Sequence, residues 1–266
     1  MKTAKNPVQA VALTTHILQA LKEKDGAGIT ELEDTVDLSK GAIHNHLTTL
    51  EENGFVVKSD GIYELGLQFL IFGEYVRNHN DLYVNGKEPT DALADETGEY
   101  AHLSTEQHGQ GIKLYKSKGD QAVGTRYQQT KLQKPEHLHH TATGKAILAF
   151  LPQEEADQII DHYGLPTRTE NTISTRAELN EELETIAQRG FACNDEEEVE
   201  GIRAVGAPVR DRNDRVIGAV SVSAPVRRMP DVQFYETLPE KVMKTANVIE
   251  ANINMAKKSS ELRDRM

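Results

Sequence analysis

The sequence predicts an α+β fold in two parts, a small helical part that ends in a β-hairpin and a larger part with a sheet. The first observation is the element order in residues 1–66, where helical runs precede two short apolar runs joined at Asp60-Gly61, a typical hairpin tip. The second is a later alternation of strand-like and helical runs, which is typical of an antiparallel sheet packed against helices. The length of 266 residues also exceeds what one average domain needs.

The first part predicts three helices before the hairpin. Residues 7–24 have apolar residues at helical spacing, and Pro7 suits a first helical turn. The run Thr30–Glu33 matches a capping box that would open the second helix. Ser39 would cap the third helix and Gly54 would end it. Helix, turn, helix and hairpin in this order indicate a winged helix-turn-helix, a DNA-reading arrangement.

The third helix has the features of a recognition helix. Residues 38–50 contain no acidic residue, although the chain holds 42 Asp and Glu against 30 Lys and Arg. At helical spacing, Ile43, Leu47 and Leu50 share the inner face, and Asn45 is at the centre of the outer face. Asparagine can bond adenine, threonine can contact a thymine methyl group, and lysine can hold a phosphate. The candidate DNA-binding residues are Ser39, Lys40, Gly41, His44, Asn45, Thr48, Thr49 and, on the wing, Lys58.

The charge of the chain limits how it could contact DNA. The formal net charge is −12, and residues 1–60 hold six lysines, no arginine and nine acidic residues, a net of −3. A DNA-binding domain usually carries a basic footprint, so we expect DNA contact only through the third helix and the wing. High salt inside the host cell would screen the remaining repulsion.

A further helix is predicted after the hairpin, because Leu67, Leu70, Ile71 and Tyr75 recur at helical spacing. We predict a DNA-binding domain over 1–66, a linker helix over 67–80 and a second domain over 81–266. The apolar residues of the linker need cover, so we expect the first helices and the linker to form a dimer. Polar stretches follow at 78–81 and 85–89.

The second domain alternates strand-like and helical runs. The predicted strands are 100–103, 111–115, 191–193, 204–209 and 216–223. The predicted helices are 141–151, 152–163 and one from the capping box Thr175–Glu178 to Gly190. A final helix would bury the stripe Val242, Ala246, Ile249, Ile253 and Ala256.

Several classes of protein are not expected. The chain has no apolar run near the 18 or so residues of a membrane helix, and its first residues lack the apolar core of a signal peptide. The single cysteine, Cys193, excludes an intrachain disulfide and a cysteine-rich zinc site. No nucleophile elbow, glycine-rich phosphate loop or HExxH pattern occurs. We expect a cytoplasmic protein that is not an enzyme and has no metal, cofactor or membrane partner.

Four segments resemble the IclR family of transcription regulators, in the family's order and over nearly the whole chain. They are His139–Ala149, Thr167–Ile173, Gly190–Val209 and Gly218–Pro225. The resemblance implies an N-terminal winged helix, a linker helix and a C-terminal GAF-like effector domain with an antiparallel sheet. It also implies a dimer or tetramer on operator DNA, whose affinity changes when a small metabolite, often a carboxylate or aromatic acid, binds.

The resemblance places the effector site between a helix start and the sheet. The residues that it implies are Ala142, Thr143, Asn194, Ala204, Ser221 and Ser223. Ser221 and Ser223 are two apart on a strand, so their hydroxyls share a face, and the free N–H groups of a helix start near Thr141 could hold a carboxylate. Arg126 in the preceding loop could add a bidentate partner. The serines could instead be ordinary small polar residues of the sheet.

Several positions depart from the family's pattern. The family often has Asp at Asn194, Cys or Ser at Ala204, and Arg at Asn45. The effector and operator therefore cannot be taken over from a relative. We expect a DNA-binding transcription regulator whose operator binding a small metabolite modulates. The alternative is a metabolite-sensing module that acts through protein partners, which the acidic N-terminal part leaves open.

Overall fold

The computed structural model describes residues 5–123 and 134–263. The chain forms two compact units that divide between His79 and Asn80. The first is helical with a hairpin, and the second is a sheet with helices, as the predicted α+β fold class requires.

The N-terminal unit has the predicted helix-turn-helix followed by a wing. Its elements are α1 (Gln9–Lys24), α2 (Ile29–Glu33), α3 (Lys40–Glu52), β1 (Val56–Ser59), β2 (Ile62–Leu65) and α4 (Gln68–Asn78). The two strands are antiparallel, and both turn residues, Asp60 and Gly61, have positive φ angles of 51° and 83°. Such angles are those of a tight two-residue hairpin turn, for which Asp-Gly is a preferred sequence.

The three helices enclose one apolar core. Ile43 and Leu47 of α3 are fully buried against Ile17 of α1 and Leu32 of α2. The inner face predicted for the third helix is therefore confirmed, and its opposite face is left to solvent.

Two of the predicted helix starts were wrong. Pro7 lies before α1, whose first-turn cap is Val8, instead of inside the first turn. Helix α2 begins at Ile29, because the Gly28 N–H donates to Glu31 Oε2 at 2.8 Å. The box that begins at Thr30 therefore does not form. Ser39 does cap α3, accepting a hydrogen bond from the Ala42 N–H at 3.4 Å.

The C-terminal unit contains a five-stranded antiparallel sheet in the order β4-β3-β7-β6-β5. Its elements are α5 (Asp81–Thr97), β3 (Tyr100–Gln107), β4 (Gln110–Lys118), α6 (Ala142–Leu148), α7 (Gln153–Tyr163), α8 (Arg176–Arg189), β5 (Ala192–Asp195), β6 (Ile202–Arg210), β7 (Val216–Pro225) and α9 (Leu238–Arg263). Helices α5 and α9 pack on one face, where Val205, Val220 and Val222 point, and α6 packs on the other. The alternate residues of β6 and β7 therefore face α6.

Helix α5 was not predicted, and it includes the polar stretch 85–89. Pro89 lies inside the helix and has no N–H to donate to the Asn85 carbonyl one turn earlier. The Asn252 side chain of α9 donates to that carbonyl instead, at 3.4 Å.

The apolar stripe predicted for the last helix ends one turn early. Ile253 is buried in α9, but Ala256 is exposed.

Candidate DNA-binding and effector sites

All eight candidate DNA-binding residues are exposed on the N-terminal unit. On α3 they form two rows at a spacing of four residues, His44 with Thr48 and Asn45 with Thr49. The second row borders a groove between α3 and α1 that Val11 also lines. Gly41 has no atom within 4 Å of where a Cβ would stand, so this turn of α3 is open to a close neighbour.

The charged candidates have only weak intramolecular partners. Lys40 Nζ is 3.4 Å from a carboxylate oxygen of Glu33, with both side chains largely exposed. Lys58 Nζ lies 5.0 Å from the centre of the Tyr63 ring. Exposed ion pairs contribute little free energy, so a phosphate could replace Glu33 at Lys40.

His46 differs from the other polar residues of α3, because it faces α1. Its Nδ1 is 2.8 Å from the Thr14 hydroxyl, which itself donates to the Ala10 carbonyl at 2.8 Å. His46 therefore holds α3 against α1.

In the C-terminal unit, a cavity lies between the sheet and the start of α6. It is lined by six of the predicted effector residues, Ala142, Thr143, Asn194, Ala204, Ser221 and Ser223. The seventh, Arg126, lies outside the described residues. The cavity is narrow, about 20 Å³, which is room for one water molecule.

Strand register and one glycine bring the cavity walls together. Ala204 pairs with both Asn194 and Ser223, so these three share one face of adjacent strands. Gly206 pairs with Ser221, and a Cβ there would stand 2.8 Å from backbone atoms of Ala142. The missing side chain lets α6 begin directly against the sheet.

Both polar atoms of the Asn194 side-chain amide are hydrogen-bonded within the protein. Its Nδ2 donates to the His140 carbonyl at 2.7 Å, and its Oδ1 accepts from the Glu197 N–H at 3.0 Å. An aspartate could accept the second bond but could not donate the first. The asparagine in place of the family's common Asp therefore joins the segment before α6 to the loop after β5.

The start of α6 offers less to an anion than the sequence suggested. The helix has seven residues, and the Thr141 hydroxyl accepts from the Gly144 N–H at 3.0 Å. One of the N–H groups expected to face a carboxylate is therefore already bonded.

A buried ion pair joins two segments that border the cavity. Lys145 Nζ lies 2.5 Å from a Glu197 oxygen and 3.4 Å from a Glu182 oxygen, with the lysine side chain 1% exposed. Burial raises the pKa of Glu197, and the Lys145 ammonium opposes that change. The pair fastens the loop after β5 to α6.

Sequence reasoning missed four ionisable residues of the cavity, His102, Lys113, Glu136 and Glu198. His102 Nε2 is 2.9 Å from the Ser223 hydroxyl. Lys113 Nζ is 2.9 Å from Glu136 Oε1, and the lysine side chain is only 4% exposed. A lysine on a strand usually faces solvent, so the sequence gave no signal that this one is inside.

The titratable groups around the cavity do not form an activated nucleophile. Burial raises the pKa of Cys193 to about 11, so its thiol stays protonated. Burial lowers the pKa of His139 to about 4 and that of His140 to about 3, so both imidazoles are neutral near pH 7. Across residues 5–123 and 134–263, no group of three or more His, Cys, Asp or Glu could hold a metal ion.

Two family models match the chain. The IclR helix-turn-helix domain matches residues 10–60, and the bacterial transcriptional regulator IclR C-terminal model matches residues 74–251. The chain belongs to the IclR family. Its members regulate transcription and are not enzymes, so the chain is a DNA-binding transcriptional regulator, and the expectation that it is not an enzyme is confirmed.

Individual relatives agree with this assignment. The chain is 40% identical to the probable HTH-type transcriptional regulator ArcR of Halobacterium salinarum, over 94% of this chain and 95% of that protein. The crystal structure of Thermotoga maritima IclR superposes with a TM-score of 0.72 at 27% identity, over 92% of this chain and 97% of that one. An IclR homologue from Microbacterium hydrocarbonoxydans, solved with 4-hydroxybenzoate, shares the fold with a TM-score of 0.78 at 16% identity, over 92% and 99%. Among the helices that the structure describes, none is long and apolar enough to cross a membrane.

Proposed function

We propose that this regulator binds a pseudo-palindromic operator as a homodimer and that a small organic acid in the C-terminal cavity changes its operator affinity. The observation that carries the proposal is the polar cavity between α6 and the sheet, where two serines, two threonines and a histidine meet. The protein acts in the cytoplasm, where its operator DNA is.

The DNA contact is assigned to α3 and the wing. Helix α3 has no acidic residue before Glu51, and its outer face carries the Asn45 amide, the His44 imidazole and hydroxyl groups that can bond base edges. The N-terminal unit is otherwise acidic, so phosphate contacts are few and come from Lys40 and Lys58. Affinity then depends on base contacts more than on charge.

The homodimer is inferred from α4, a helix with no buried residue. Its apolar side chains are exposed, with Leu70 68%, Ile71 63% and Val76 66% accessible. Apolar surface of this extent on one helix is typical of an interface, and a second α4 would cover it. A dimer also matches the two half-sites of a palindromic operator, and it could pair further into a tetramer.

The effector is assigned to small aliphatic acids. The structural neighbour from Microbacterium carries an aromatic acid. Here hydroxyl, imidazole and ammonium groups line the cavity, and any organic acid would have to widen it beyond its present volume of about 20 Å³. An aliphatic acid with further oxygen atoms fits this lining better.

The operator is tested by footprinting on the DNA upstream of the protein's own gene, from low to multimolar salt. We expect one protected palindrome that disappears in Asn45→Ala and remains in Thr185→Ala, an exposed residue of α8. Absence of protection at every salt concentration, with folded protein, would contradict operator binding at this DNA and favour a sensor that acts through protein partners.

The dimer and the effector need separate measurements. Analytical ultracentrifugation should show a dimer that dissociates in Leu70→Asp but not in Asn78→Asp, the same charge change at the end of α4. A saturating acid should shift operator affinity, because a ligand regulates only when it binds two states unequally. An acid that binds without changing operator affinity would contradict the proposal that the acid regulates operator binding.

A further inference from the structure

Two of the charged side chains that line the effector cavity bind each other inside it. Lys113 of β4 is 4% exposed, and Glu136 is 13% exposed, with 2.9 Å between Nζ and Oε1. Both face the same space as Ser221, Ser223 and the start of α6. The Lys113 ammonium group in the cavity is therefore already paired with a carboxylate of the protein itself.

The two partners differ in how easily they could separate. The Lys113 side chain is almost completely enclosed, so its ammonium group would lose most of its solvation if it were left alone. Glu136 lies nearer the surface and could turn its carboxylate to water. Exchange therefore favours a new acid on Lys113 over a new cation on Glu136.

The Glu136 backbone is paired with that of Gly111, so the exchange needs only a side-chain rotation. Glu136 and Gly111 exchange two hydrogen bonds, Gly111 N–H to Glu136 O at 2.8 Å and Glu136 N–H to Gly111 O at 3.0 Å. Gly111 is two residues before Lys113 on β4. The anchored backbone keeps the lysine and the glutamate side by side whichever acid the ammonium group binds.

We propose that Lys113 is the residue that binds the acidic group of the effector and that Glu136 is an internal competitor which the effector displaces. This inference rests on the proposed effector site and specifies its chemistry. A simple carboxylate only replaces one carboxylate by another and gains little. An acid with an adjacent hydroxyl or keto oxygen gains further hydrogen bonds from Ser221 or Thr143, so the competitor selects hydroxy and keto acids over plain ones.

The two partners make opposite predictions when they are changed one at a time. Calorimetric titration would use glycolate, pyruvate, glycerate and acetate as probes. Glu136→Gln removes the competing charge, so the hydroxy and keto acids should bind about tenfold more tightly. Lys113→Met removes the cation, so the same acids should bind at least about tenfold more weakly. Acetate should bind most weakly to the unmodified protein.

Two controls keep the result interpretable. Lys116→Met changes another lysine of β4, which lies over the Tyr100 ring and does not line the cavity, and it should leave the affinities unchanged. The double variant Lys113→Met with Glu136→Gln removes both charges, so it should fold even if the single variants are unstable, and it should bind none of the acids.

The failures of the two proposals can be told apart. Three results would overturn the assignment of Lys113 and Glu136. They are equal acid affinity in Lys113→Met and the unmodified protein, weaker binding in Glu136→Gln, and no binding of these acids to any variant. Acid binding that depends on Lys113 but leaves operator affinity unchanged would support that assignment and contradict the proposed regulation.

Discussion

The two candidate sites differ in how strongly their residues are bound to the rest of the protein. The DNA-binding candidates on α3 are exposed, and their partners are near neighbours, such as the Asn45 carbonyl that accepts from Thr49 at 2.9 Å. Most of the predicted cavity residues are buried, and several bond distant segments, such as Asn194 with the His140 carbonyl. Changes on α3 should therefore alter binding alone, whereas changes around the cavity should alter stability as well.

The largest expected effect is at the buried ion pair. Lys145→Met leaves the Glu197 carboxylate buried without its cation, and breaking such a pair costs about 3–5 kcal/mol of unfolding free energy. Urea denaturation of the full chain measures it. The double variant Lys145→Met with Glu197→Gln should recover part of the loss; no recovery would mean that lost packing, not the stranded charge, causes the effect.

A smaller loss is expected when Asn194 is changed to the family's common residue. Asn194→Asp cannot donate to the His140 carbonyl and places a carboxylate oxygen beside it, which should cost about 1–3 kcal/mol. The same urea titration applies. Unchanged stability together with altered acid affinity would show that Asn194 acts on the ligand and not on the fold.

Stability should also depend on pH through the two buried histidines. Their folded pKa values, about 4 for His139 and about 3 for His140, lie below the ordinary 6.5, so the unfolded chain binds protons first as pH falls. The stabilising contribution is complete above pH 6.5 and decreases on acidification towards pH 4. Each histidine contributes a slope of up to about 1.4 kcal/mol per pH unit. His140→Gln should flatten the pH dependence measured by urea denaturation; an unchanged slope would contradict it.

The smallest effect on stability is expected on α3. Thr48→Ala should change the unfolding free energy by less than about 0.5 kcal/mol, because the residue is exposed. It should weaken operator binding by about 1–3 kcal/mol if it contacts a base. Thr185→Ala on α8 is the matched control for both measurements, because Thr185 is also an exposed helical threonine. A large stability loss in Thr48→Ala would break the contrast between the two sites.

The sequence predicted the N-terminal unit more completely than it predicted the unit that contains the cavity. The N-terminal unit could largely be predicted because most of its elements have a local signal, such as the Ser39 cap, the Asp60-Gly61 turn and the apolar spacing of α3. Helix α5 was missed because Pro89 and its polar neighbours normally interrupt a helix. The bond from Asn252 that satisfies the freed carbonyl comes from α9, 167 residues away in the chain.

The cavity was only partly predictable for a related reason. The resemblance to the IclR family supplied Thr143, Ser221 and Ser223, all of which line it. Lys113 and Glu136 were not identified, because burial of a charged residue depends on which segment later covers it.

The capping box predicted at Thr30 does not form, because the Glu31 side chain accepts a hydrogen bond from the Gly28 N–H instead.

The acidic N-terminal unit has a consequence for how an operator is found. With a net charge of −3 in its first 60 residues and few lysines on the DNA-facing side, the protein should have little affinity for arbitrary DNA. One-dimensional sliding needs such affinity. We therefore expect the search to proceed mainly by repeated three-dimensional encounters, so that the time to reach an operator should depend little on the length of the flanking DNA.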